Sequence, residues 1–149
     1  MTIKQVSVFV ENRVGTLQEI MSLLASHDIN LRAMSIADTA DFGVLRLICD
    51  DPFRAQKLLE AEKCIVTINE VLGVALPDRP GTLEHVLKIL ADNGYGLEYV
   101  YAFITHNEEN AYIILRIEEV EDNEKAEALL RANNIIVLNT SDVCQDSAE

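Results

Sequence analysis

The chain has 149 residues, 49% hydrophobic and 25% charged, a balance typical of a folded globular protein that argues against disorder outside the last few residues. Its formal net charge of −13 repels a nucleic-acid backbone and an anionic membrane surface, so neither is an expected partner. Trp is absent and aromatics make up 5%, which leaves Val, Ile, Leu and Ala to build the core.

Residues 3–10 (IKQVSVFV) alternate and are rich in β-branched side chains, which predicts a strand. Gly15-Thr16 breaks it, and Thr16 followed by Glu19 has the spacing of a capping box. Leu17, Ile20, Met21 and Leu24 then recur at helical spacing, predicting an amphipathic helix that ends near His27-Asp28. Residues 29–37 and 43–49 read as strands. Asp51-Pro52 opens a second helix with an N-cap and a Pro at its first position. Residues 64–71 form a further strand. The order then recurs: strand 72–77, helix 82–92, strands 95–105 and 110–118 around a turn at 106–109, a helix capped by Asp122 and running to about Ala132, and strand 135–140. On the strand at 95–105, period 2 places Leu97, Tyr99, Tyr101 and Phe103 on one face.

The recurrence is visible in the residues themselves. Residues 8–31 align with 74–97 at a constant offset of 66, with eight of 24 positions identical, among them Arg13/Arg79, Gly15/Gly81, Thr16/Thr82 and Leu17/Leu83. VLRLI (44–48) matches ILRIE (114–118), setting Arg46 opposite Arg116, and KLLEAEKCIV (57–66) matches ALLRANNIIV (128–137). The chain is thus read as two βαββαβ units, residues 1–70 and 71–142, with a flexible tail at 143–149. That order predicts an α+β fold: two ferredoxin-like units packed side by side, each an antiparallel sheet with helices on one face. Units this small gain from pairing, and apolar residues on both sheet faces predict a homodimer.

Catalysis finds little support. Cys49, Cys64 and Cys144 are odd in number and form no CxxC pair, and no HExxH, GxSxG or P-loop motif occurs. No metal site, cofactor or enzymatic activity is expected. The acidic run at 118–124 lacks EF-hand spacing and reads as a solvated loop and helix start. No cleavable leader opens the chain and no apolar run reaches the ~20 residues of a membrane span, so a cytoplasmic location is expected.

Asp78-Arg79-Pro80-Gly81-Thr82-Leu83, between a strand and an apolar helix, resembles the signature of the ACT domain family. The first copy has Asn12-Arg13-Val14-Gly15-Thr16-Leu17, with Asn for Asp and Val for Pro. With the βαββαβ order in both copies, the resemblance covers nearly the whole chain and is to stand-alone tandem ACT proteins. It implies a regulatory protein that binds a free amino acid where two domains meet, the loop of one facing the second strand of its neighbour. It also implies an enzyme or regulator as the partner that is controlled.

The loop suits that ligand on chemical grounds. It ends at a helix N-terminus, whose free N–H groups and dipole favour a carboxylate. Gly15 and Gly81 let a ligand approach the backbone. Asn12, Asp78 or exposed carbonyls could accept from an α-ammonium. Side-chain selectivity would come from Arg32, Ala33 and Met34 in one copy and Glu98, Tyr99 and Val100 in the other. Each residue has a plainer alternative: the glycines serve the turn, Arg13 and Arg79 are solvated charges, Thr16 and Thr82 are N-caps, Asp78 caps the turn, and Tyr99 packs on the sheet. The other reading of the whole chain is an interaction module that controls an amino-acid metabolic enzyme without binding a ligand. Because Val14 replaces Pro, the first loop is less preset in φ, and the two loops are expected to differ in affinity.

Overall fold

Alternating apolar residues make β1 (Ile3–Glu11) a half-buried strand, and the left-handed Gly15 turns it into α1 (Thr16–Ser26). β2 (Leu31–Asp38) and β3 (Phe42–Cys49) follow, then α2 (Pro52–Ala61), where Asp51 accepts a hydrogen bond from the Arg54 N–H at 3.0 Å as the N-cap read from the sequence. β4 (Ile65–Pro77) is one 13-residue strand, the last strand of the first copy continuing into the first strand of the second. α3 (Thr82–Asp92), β5 (Leu97–Phe103), β6 (Asn110–Ile117), a 3₁₀ turn (Val120–Asp122), α4 (Asn123–Ala132), β7 (Ile136–Leu138) and α5 (Thr140–Cys144) complete the chain. The computed structural model describes residues 2–38, 40–103 and 109–144. The predicted turn at 106–109 falls, except for Glu109, outside the described residues, as does the tail beyond Cys144.

The chain divides into two compact units. One is Lys4–Asn69 with Cys144, and the other is Glu70–Val143 with Thr2 and Ile3. The first has the strand order β2-β3-β1-β4, and the second has β5-β6-β4-β7. Numbered within its own copy, each is 2-3-1-4, with antiparallel β1–β3, β2–β3, β4–β6, β4–β7 and β5–β6 pairs. Both units are ferredoxin-like.

Each unit has its own core. Val6, Val8 and Val10 of β1 pack with Ile20 and Leu24 of α1, with Leu45 and Leu47 of β3, and with Ala55 and Leu59 of α2. In the other unit Leu72, Val74, Leu76, Val86 and Leu90 stand at the same positions 66 residues on, joined by Ile113, Leu115, Ala126 and Leu130. Burying one such aliphatic side chain contributes roughly 1.5–3 kcal/mol.

Three sequence expectations need correction. Thr16 is not an N-cap: Gly15 and Gly81 hold the cap positions, without a side-chain cap bond, and Thr16 and Thr82 are first helical residues. Glu19 accordingly turns to Arg13 instead of closing a capping box. Leu97 does not share a face with Tyr99. A bulge between them returns Leu97 to the core beside Ile117, and Leu31 and Ala33 are separated in the same way. The Arg46–Arg116 match is two residues out, because Val8 pairs with Leu45 and Val74 with Ile113, so the structural counterpart of Arg46 is Ile114. A shift of two keeps every side chain on its face, so hydrophobic pattern alone could not detect it.

Candidate functional site

The two β–α loops are congruent in backbone. Gly15 has φ 92° and ψ −14°, Gly81 φ 91° and ψ −12°. Arg13 N–H donates to the Glu11 carbonyl at 3.0 Å, and Arg79 N–H to the Pro77 carbonyl at 2.9 Å. Asn12 N–H reaches the Asp41 carbonyl at 2.9 Å, and Asp78 N–H the Glu109 carbonyl at 3.2 Å. The loops thus deliver the same geometry to the starts of α1 and α3, each an 11-residue helix whose first N–H groups lack intrahelical acceptors.

Their side chains differ in charge commitment. In the first loop the Arg13 guanidinium bonds the Glu19 carboxylate at 3.1 and 3.5 Å and lies 3.6 Å from that of Glu11. The bond to Glu19 pushes the Arg13 pKa up. Asn12 Nδ2 donates to the Ala40 carbonyl at 3.3 Å. In the second loop Pro77 replaces Glu11 and His85 replaces Glu19. Neither Asp78 nor Arg79 makes a side-chain hydrogen bond or ion pair among the described residues, and both are exposed. The Thr82 hydroxyl donates within the loop, to the carbonyl of Pro77 (2.9 Å) or Arg79 (3.1 Å). The Thr16 hydroxyl oxygen is buried without a partner.

A cavity of about 210 Å³ opens beside the first loop, lined by Asn12, Arg13, Thr16 and Leu17 together with Ile36 of β2 and Gly43 of β3. Ile36, missed in the sequence, is the strand residue that meets the loop; period 2 from Met34 could have pointed to it. Met34 pairs with Leu47 and Val100 with Leu115, so both stand on the helix-covered face of the sheet, 41% and 37% exposed. Ala33, paired with buried Ile48, and Tyr99, paired with Arg116, point to the other face, away from their own unit's loop. Tyr99 stacks on Tyr101 at 6.3 Å, and Arg116 bonds Glu98 at 3.3 Å and the Glu70 carbonyl at 2.7 Å. Val14 and Pro80 are exposed on the loop tips, Val14 at 99%, and Leu83 packs against the core.

Among the described residues no group of three or more His, Cys, Asp or Glu is placed to hold a metal, and no helix is long and apolar enough to cross a membrane.

A search of curated proteins returns no match. Among solved structures, a protein of Bacteroides thetaiotaomicron is 37% identical, with a TM-score of 0.89 over 98% of both chains. The regulatory subunit of aspartate kinase from Thermus thermophilus, in its ligand-free form, shares the fold at 17% identity, with a TM-score of 0.63 over 88% of this chain and 90% of that one. Aspartokinase III from E. coli, in complex with lysine and aspartate, gives 18% identity and a TM-score of 0.50 over 88% of this chain and 31% of that one. The family profile of an ACT domain pair matches residues 1–146, and with the duplicated fold and loops above it the chain belongs to the ACT domain-pair family.

Proposed function

We propose that this ACT domain pair is a regulatory module, not a catalyst, that senses a free amino acid through the Asp78–Leu83 loop. The observation that carries the reading is the uncommitted charge pair: Asp78 and Arg79 have no partner among the described residues, while Arg13 of the matching loop is held by Glu19. A free amino acid is a zwitterion. Its carboxylate fits Arg79 and the first N–H groups of α3, and its ammonium fits Asp78. The aspartate kinase regulatory subunit with the same fold, and the aspartokinase solved with lysine and aspartate, support a regulatory amino-acid role.

A thermal-shift screen of the twenty amino acids tests this reading. Ligand at 100 times its dissociation constant adds roughly 2.7 kcal/mol, which raises the melting temperature by about 5 °C or more in a chain of this size. Arg79→Ala should weaken the hit about tenfold or more, while Arg13→Ala leaves it nearly unchanged. No shift with any of the twenty overturns the reading.

The first loop favours a second role. With Arg13 neutralised internally and Val14 99% exposed, it suits contact with an enzyme or regulator more than capture of a zwitterion. A second copy of the chain is a further partner, covering the half-exposed Met34 and Ile36 of β2.

A further inference from the structure

The two β–α loops share one backbone, and their difference in charge extends onto the helix that follows. Glu19 N–H donates to the Gly15 carbonyl at 2.9 Å and His85 N–H to the Gly81 carbonyl at 3.0 Å, so residues 19 and 85 hold the same place in α1 and α3. From that place the Glu19 carboxylate reaches back to the Arg13 guanidinium at 3.1 Å. His85, with a side chain of similar reach, stands at the matching position beside Arg79. It is exposed and makes no side-chain hydrogen bond or ion pair among the described residues.

Lys88 follows three residues on, on the same face of α3, where α1 has Ser22. Its ammonium meets Asp92 at 2.8 Å with both side chains more than half exposed, a pairing weak in water. Glu84, adjacent to His85 in sequence, does not share that face. Along it α1 presents Arg13, Glu19 and Ser22, with the arginine already neutralised. α3 presents Arg79, His85 and Lys88, three side chains that donate to a carboxylate, the imidazole in either protonation state.

A bound zwitterion places its α-carboxylate on Arg79 and the first N–H groups of α3, and its ammonium on Asp78. His85 is then a donor beside the ligand without an acceptor in the protein, and the ligand's side chain is the group left to supply one. We infer, resting on the amino-acid reading above, that the Asp78–Leu83 loop selects an amino acid with a second carboxylate in its side chain, and that His85 is the residue that reads it.

Calorimetric titration of the full chain with L-aspartate, L-glutamate, L-asparagine and L-glutamine tests this, each acid being matched in shape to its amide. One acid should bind saturably, about tenfold or more tightly than its amide. His85→Gln should bring that acid to the affinity of its amide. His85→Glu should weaken it further, because the new carboxylate pairs with Arg79 as Glu19 pairs with Arg13 and repels that of the ligand. Position 85 is exposed, so both variants should melt with the wild type in the absence of ligand. An acid that binds no more tightly than its amide overturns the inference, as does an acid preference that survives His85→Gln. If another of the twenty amino acids binds through Arg79 while neither acid binds, the loop reading stands and this inference falls. If none of the twenty binds, both fall.

Discussion

Gly15 and Gly81 show how single residues set the loops. Their φ values near +90° cost an L-residue about 1–2 kcal/mol. Nothing lies within 4 Å of a Cβ added to Gly81, so Gly81→Ala should destabilise the fold by about that amount through the backbone alone. Urea unfolding would check this, with Gly15→Ala expected to match it, because its added Cβ approaches only Glu19 Oε1, at 3.9 Å. The same glycines explain why the capping box was misread. The Thr-x-x-Glu spacing is present, but the left-handed glycine takes the cap position and moves the hydroxyl one place into the helix. The commitment of Arg13 and the freedom of Arg79 were legible only in part. The replacements at Pro77 and His85 stand in the sequence, but that Glu19 reaches back to Arg13 depends on the loop's path. Cys49 gives a second prediction at this scale. It is 1% exposed, and burial pushes its thiol from 9.0 up to about 12. Between those values the unfolded chain has released a proton that the folded chain keeps. Its contribution is therefore fully present below pH 9.0 and is lost as pH climbs toward 12. Stability measured on either side of 9.0 should fall more steeply in the wild type than in Cys49→Ala.

Among the elements, two helix starts that look alike in sequence behave differently. Asp51 accepts the Arg54 N–H at 3.0 Å, whereas Asp122, expected from the sequence to cap its helix, makes no cap bond and instead meets Lys125 at 3.3 Å after a 3₁₀ turn. Asp51→Ala should therefore cost about 1 kcal/mol, and Asp122→Ala only a few tenths, in thermal or urea unfolding. Equal losses would show that the cap geometry does not govern these starts. Element type and order were legible because hydrophobic period separates helices from strands without reference to partners. The paired bulges before Ala33 and Tyr99 were not, because a bulge is a relation between two strands and leaves no mark on the one that carries it. They decide site geometry: without them Ala33 and Tyr99 would stand on the helix-covered face with the loops. The short helix α5 was missed for a different reason. Five residues, TSDVC, carry too little periodicity to register, and Val143 is buried only through tertiary packing.

For the whole molecule, acidity and exposed apolar surface pull in opposite directions. β2 is an edge strand of its sheet, and its Met34 and Ile36 are 41% and 48% exposed on the helix-covered face beside Leu17, itself 37% exposed. An uncovered apolar edge of this kind favours association. Bringing together two chains of charge −13 opposes it, and that repulsion is screened over about 10 Å at 0.1 M salt. The expected outcome is a homodimer that tightens as ionic strength rises, read by light scattering as a mass near twice the 16.6 kDa of one chain. Ile36→Lys should shift it to the monomer, since it buries an ammonium at the edge without adding to the net negative charge that salt would screen. A mass of 16.6 kDa at every salt concentration would leave Met34 and Ile36 to another partner, and the regulated enzyme would then be the occupant to seek on this edge.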